Sequence, residues 1–263
     1  MNPGEKFEND CYEYLTRTYK GAIFRSEGGM DSTKSDIAVM KNSCTRFYIE
    51  VKDAYAQSGQ FVLLPDKESE TFVFSPRNRS EPNEMTEIII RYMNNDFHRF
   101  SKAGTSGESP DIDPSVYSDW ITQHYIDRGV KYVISYKDGF VILPIRKFSS
   151  YFKITAKYRT KKSGSGYPAK KDLADVKKEI ISIYPSAAFE IYGSELFVTL
   201  GEPLCCDRFE LGKYTYYFSR TNDGTYKIKR LSNTHNMNVI FSVKLKKGQD
   251  IQDLSEFEAD LGN

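Results

Sequence analysis

The sequence predicts an α/β fold: a mixed central β-sheet flanked by helices, followed by a β-rich C-terminal part. Helix-type and strand-type hydrophobic periods alternate through residues 1–150. Beyond Pro185 the chain breaks into short aromatic runs separated by tight-turn signals. No stretch approaches the roughly 18–20 consecutive apolar residues of a membrane-spanning helix.

Residues 3–19 carry Phe7, Cys11, Tyr14, Leu15 and Tyr19 at helical spacing, and Gly21 ends that helix. A short strand over 23–25 runs into a turn at Glu27-Gly28-Gly29. Strands follow at 36–40 and 46–52, then at 61–64 and 71–74. A helix over 83–100 places Ile89, Met93, Phe97 and Phe100 on one side, and a Gly/Ser/Pro/Asp-rich loop spans 101–114. A second helix over 116–128 stops at Gly129, and Asp138-Gly139 turns a hairpin between 131–136 and 140–144. After a basic stretch, residues 170–183 read as a helix. Strands then fall at 188–191, 195–200, 214–219, 226–230 and 239–245, with Asn222-Asp223-Gly224 turning one hairpin. The expected division is a core over 1–150, then a basic segment and β-rich recognition or dimerisation part over 151–263.

Of the 263 residues, 39% are hydrophobic and 14% aromatic, which excludes global disorder. The N-terminus lacks a basic start followed by an apolar run, so no secretory signal is expected. The four cysteines, Cys11, Cys44 and the adjacent Cys205-Cys206, form no CxxC and no disulfide scaffold. A reduced, cytoplasmic protein is the expectation. Net charge is only +1, yet Arg146 to Lys178 alone carries +9 and leaves −8 for the rest. Such a concentrated basic stretch suits a polyanion, and nucleic acid first.

The two strands after the Gly-Gly turn carry the most chemistry. If their hairpin is symmetric about Ser43, Ile37 faces Ile49 and Val39 faces Phe47 on one apolar side. The other side then brings Asp36 opposite Glu50, with Cβ atoms about 5 Å apart, and Lys52 lies roughly 6–7 Å beyond Glu50. Facing carboxylates repel, and a divalent cation relieves that repulsion. Carboxylate oxygens completed by water and phosphate oxygens suit Mg²⁺. An adjacent lysine can orient or deprotonate an attacking water and compensate negative charge. The pattern fits metal-assisted phosphodiester hydrolysis. A surface sheet with a cross-strand Glu-Lys contact is the plain alternative.

On Ser35-Asp36 and Glu50-Val51-Lys52, with Gly4 and Glu8 on the opening helix and Gln57-Ser58-Gly59-Gln60 after the motif, the chain resembles the PD-(D/E)XK nuclease superfamily, and particularly its type II restriction endonucleases. Ser35 stands where the motif has its nominal proline. The resemblance implies that Asp36 and Glu50 bind Mg²⁺, that the Val51 carbonyl completes the metal shell, and that Lys52 serves the nucleophilic water. It also implies a restriction-endonuclease-like core over roughly residues 1–150.

Accessory candidates are Glu8, as an extra acid near the metal or an ordinary solvated carboxylate, and Gln57 and Gln60, which would touch the DNA backbone or hold the metal-binding strand. Lys34 is a candidate phosphate contact. Arg159, Lys161 and Lys162 are expected to neutralise DNA phosphates, while Ser163 and Ser165 let backbone amides approach the strand. A flexible linker is the alternative there. Arg77, Asn78 and Arg79 have the chemistry to read bases. His98, His124 and His235 match no zinc spacing, and no Walker or GxSxG loop is present. The expected protein is a Mg²⁺-dependent type II endonuclease cutting double-stranded DNA at a short site. A two-fold homodimer and a cognate DNA methyltransferase are its expected partners. The alternatives are a junction-resolving or repair nuclease, and a DNA-binding module without catalysis.

Overall fold

The computed structural model describes residues 3–27, 35–162, 166–221, 223–231 and 235–262. The elements in chain order begin with α1 (Pro3–Thr18), β1 (Ile23–Ser26), β2 (Ile37–Lys41), β3 (Cys44–Val51), β4 (Tyr55–Asp66) and β5 (Thr71–Phe74). Next come α2 (Glu84–Asn94), α3 (Phe97–Phe100), α4 (Pro114–Ile126), β6 (Val130–Tyr136), β7 (Phe140–Pro144), α5 (Phe148–Tyr151) and β8 (Phe152–Lys162). Then follow α6 (Leu173–Ile183), β9 (Ala188–Tyr192), β10 (Glu195–Thr199), β11 (Arg208–Leu211), β12 (Tyr214–Arg220) and β13 (Tyr226–Arg230). The chain ends with β14 (His235–Leu245) and α7 (Ile251–Gly262).

A five-stranded sheet runs β1-β2-β3-β6-β7. It is mixed: β3 and β6 are parallel, and the other neighbours antiparallel. Cys11 and Leu15 of α1 and Phe257 of α7 cover one face, packing on Ile37, Val39, Phe47, Ile49, Val51, Tyr132, Ile134 and Ile142. Val133, Val141 and Leu143 on the other face join Trp120, Ile121 and Tyr125 of α4 and the apolar side of a second sheet, β5-β4-β14-β8. This is the predicted mixed sheet flanked by helices. Asn83 caps α2 by accepting from Thr86 N at 2.9 Å, and Trp120 Nε1 donates to Thr86 Oγ1 at 3.1 Å, which ties α4 to that cap.

The chain divides into compact units at other positions than the expected boundary at 150. One unit comprises residues 1–160 and 237–263, the other residues 161–236. Two features displace the boundary. Residues 152–160 form β8, with Phe152, Ile154, Ala156 and Tyr158 buried while Lys153, Thr155 and Lys157 are exposed. The chain also returns through β14 and α7 to the first unit. The second unit is an antiparallel sheet, β11-β12-β13-β10-β9, whose inner face packs on Val176 and Ile180 of α6.

The basic stretch is likewise no single surface. Arg146 pairs with Glu256, and Lys147 with Asp253, both acids on α7. Tyr151 donates to Asp253 at 2.6 Å, and Lys131 pairs with Asp260 at 2.7 Å. The stretch's first two cations are therefore neutralised within the first unit. The predicted helix over 83–100 divides into α2 and α3 around Asn95-Asp96.

Phe257 is fully buried in the cluster on the α1 side of the sheet. Phe257→Ala is expected to lower stability by roughly 3–5 kcal/mol, read as a shift of the urea midpoint. An unchanged midpoint would show that α7 contributes nothing to this core.

Candidate active site

The β2–β3 hairpin sets the site. Asn42 and Ser43 both adopt positive φ, 50° and 64°, and form its turn. The ladder pairs Lys41 with Cys44 and Met40 with Thr45, then shifts, so that Val39 meets Phe47 and Ile37 meets Ile49. The register expected from hydrophobicity is present, reached through a tighter turn and a one-residue bulge. Asp36 directly precedes β2, and Glu50 lies in β3 beside Val133 of β6. Lys52 N donates to Ile134 O at 2.9 Å and extends that pairing one residue past the strand.

Asp36, Glu50 and Lys52 converge. Lys52 Nζ donates to Glu50 Oε1 at 2.6 Å, and Val51 N donates to Asp36 Oδ2 at 2.7 Å. Glu50 is 5% exposed, and its Oε2 is buried without a hydrogen-bond partner. Burial, then the Glu50 charge, pushes the Asp36 carboxyl up to about 7, with Lys52 and the Val51 amide acting against them. Burial lowers the pKa of Lys52, but Tyr125, Glu50 and Asp36 outweigh it and hold the ammonium protonated, well above the ordinary lysine value. Glu8 is raised by burial and lies within electrostatic reach of both Lys52 and Glu50.

This donor set fits a hard divalent cation. It offers two carboxylates, one with an oxygen shut from water and left over. Among the described residues no three His, Cys, Asp or Glu side chains gather as a metal cluster. A cation here would be held by a carboxylate pair completed by backbone carbonyl, water or phosphate oxygens.

Gln57 and Gln60 fall three apart on β4, yet both are exposed, and Gln57 Nε2 donates to Gln60 Oε1 at 2.9 Å. A bulge explains this: three residues from Gln57 to Gln60 span two from Ile240 to Ser242 on β14, with Gly59 at φ 98°. Both glutamines line a cleft of about 1030 Å³ together with Arg77, Arg79, His124 and Arg128. Asn78 is spent on structure, since its amide brackets the backbone of Val62 at 2.8 and 2.9 Å. Arg159 and Lys161 lie on β8 rather than in a linker. Lys34, Ser163 and Ser165, with the Gly28-Gly29 turn, Gly164 and Asn222, lie outside the described residues, as does the side chain of Lys162.

Sequence reasoning missed that Tyr125, Ser58 and His124 neighbour the cluster. Lys52 Nζ sits 5.6 Å from the ring centroid of buried Tyr125, whose hydroxyl is 3.1 Å from Ser58 Oγ. His124 stacks on Trp120 with centroids 4.9 Å apart, and its pKa is lowered by burial and by Arg128. These contacts join α4 to β3 and β4 across more than sixty residues of chain, and no local motif announces them.

No protein-family model matches the chain, and no curated protein matches it. Among solved structures, HhaI endonuclease in complex with DNA matches with a TM-score of 0.87 and 35% identity over 100% of both chains.

The raised Asp36 makes stability depend on pH. The folded carboxyl keeps a proton that the unfolded one releases from its ordinary value of 3.8 upward. Its contribution therefore falls as pH rises from about 4 to 7. In chelator, the parent is expected to lose melting temperature across that window relative to Asp36→Asn, and Mg²⁺ should raise it more at pH 8 than at pH 5. Parallel curves for the two proteins, with equal Mg²⁺ effects at both pH values, would contradict this.

Proposed function

The chain belongs to the HhaI endonuclease family, and from that premise we propose that it is a Mg²⁺-dependent type II restriction endonuclease hydrolysing double-stranded DNA at a short specific sequence. The observation that carries the reading is the convergence of Asp36, Glu50 and Lys52, with the charges of Glu50 and Lys52 reaching His124, which lines a cleft together with arginine and glutamine side chains. Asp36 and Glu50, with the Val51 carbonyl, are the residues that would hold the cation, and Glu8, within electrostatic reach of Glu50 and Lys52, would add an acidic group. The cation would supply positive charge for the scissile phosphate and acidity for the attacking water. Lys52, kept as an ammonium by its neighbours, donates hydrogen bonds: it orients that water and offsets charge developing on the phosphate, rather than removing a proton. Arg77, Arg79 and Arg128 suit the cleft to phosphates, and Gln57 and Gln60 present amide edges to it. Lys34, Arg159, Lys161, Lys162, Ser163 and Ser165 remain proposed contacts to DNA.

No helix among the described residues is long and apolar enough to cross a membrane. A cytoplasmic location, with a cognate methyltransferase protecting host DNA, completes the proposal. One chain carries one such cluster among its described residues, so concerted double-strand cutting would need the expected homodimer.

Plasmid incubated with the protein and Mg²⁺ should yield discrete fragments. Smearing or cutting confined to branched DNA would favour the junction-resolving or repair alternative, and binding without cutting the non-catalytic one. Asp36→Ala and Lys52→Ala should each lower the cleavage rate by about a thousand-fold or more while leaving metal-free DNA binding largely intact. A variant cutting at the parent rate would remove that residue's role. Nicked circles accumulating ahead of linear product would reject concerted cutting by a dimer.

A further inference from the structure

Lys52 has one neighbour that the metal-holding pair does not explain. Its ammonium meets Glu50 Oε1 on one side, and on another it faces Tyr125, with Nζ 5.6 Å from the ring centroid. The phenol is 2% exposed, and its hydroxyl lies 3.1 Å from the Oγ of Ser58, which is 0% exposed. Two hydroxyls closed off from water hydrogen-bond to each other and to whatever polar group lies between them. A tyrosine oxygen that shares one proton with serine still has a lone pair to offer an ammonium. Burial raises the phenol's pKa, and the charge of Lys52 acts against it.

The backbone fixes this arrangement from both ends. Ser58 directly precedes Gly59, whose positive φ makes the β4 bulge. Trp120 of α4 packs so closely there that a Cβ on Gly59 would lie 2.7 Å from Trp120 Cζ3. The bulge that turns Gln57 and Gln60 toward the cleft is thus also the seat that docks α4. Docking α4 sets Tyr125 over Lys52. The ring adds cation–π attraction from the same side.

We propose that Tyr125 is a positioning residue for Lys52: anchored by Ser58, it holds the ammonium against Glu50 and presents it to the scissile phosphate in one orientation. The proposal rests on the role assigned to Lys52 above. It would act in the chemical step, because Tyr125 and Ser58 are both buried and neither lines the cleft.

The test is steady-state cleavage of a duplex by the full-length protein, with Lys52→Met as the reference. Tyr125→Phe and Ser58→Ala should each lower kcat roughly ten-fold, the scale of one hydrogen bond to a charged group, with KM for DNA within about two-fold of the parent. The double variant should be no slower than Tyr125→Phe, since both changes act through one hydroxyl. Thermal melts identify a variant that fails to fold, and Ser58→Ala, the smaller change, then carries the test. Parent-like kcat in the folded variants, a loss lying in KM, or multiplicative losses in the double variant would overturn the proposal. If Lys52→Met itself cut at the parent rate, the reading of Lys52 would fall instead, so the two failures are distinguishable.

Discussion

The arrangement depends on one unfavourable interaction: two carboxylates, Asp36 and Glu50, held together away from water. Such a pair repels itself and loses hydration, and burial and the neighbouring charge hold a proton on Asp36 toward neutral pH. Nearly everything around it serves to keep the pair together. The hairpin register places it, the parallel neighbour β6 fixes the end of β3, and the Val51 amide and the Lys52 ammonium each take one carboxylate oxygen. What is left, a buried Glu50 oxygen without a partner, is the local vacancy in hydrogen bonding that a cation would satisfy.

The rest of the first unit is a mount for that pair. The apolar side of the hairpin packs on α1 and α7, so Asp36 and Glu50 are committed to the opposite side by the same alternation that buries Ile37, Val39, Phe47 and Ile49. A one-residue slip would exchange the two sides and dissolve the site together with the core. That coupling makes the geometry robust: it cannot be lost without losing much of the fold. On the other side, the β4 bulge links the cleft to α4, so the helix that packs the core also reaches the lysine.

Much of this was legible from local pattern. Alternation in 36–52 yields the hairpin pairing, because one face is wholly apolar and admits a single register. The turn itself escaped, since a two-residue turn plus bulge and a symmetric turn about Ser43 produce the same pairing further along. Strand β8 reads as a basic segment because its lysines dominate the composition. Yet Phe152, Ile154, Ala156 and Tyr158 alternate with polar residues in strand fashion. Helix α7 carries Leu254, Phe257 and Leu261 at helical spacing, and its acids neutralise Arg146 and Lys147, which charge counting along the chain cannot reveal. Tyr125 and His124 had no local signal pointing to the site, and Ser58 entered only within the motif after Lys52, for their relation to Lys52 arises only when α4 seats on β4.

The most direct measurement is anomalous diffraction from crystals of the protein with duplex DNA and Mn²⁺, which substitutes for Mg²⁺ at oxygen sites. The account predicts one strong peak at about 2.0–2.3 Å from a carboxylate oxygen of both Asp36 and Glu50, including the buried Oε2. Ordered DNA in the cleft with no peak between those two side chains, or with manganese bound elsewhere, would contradict it.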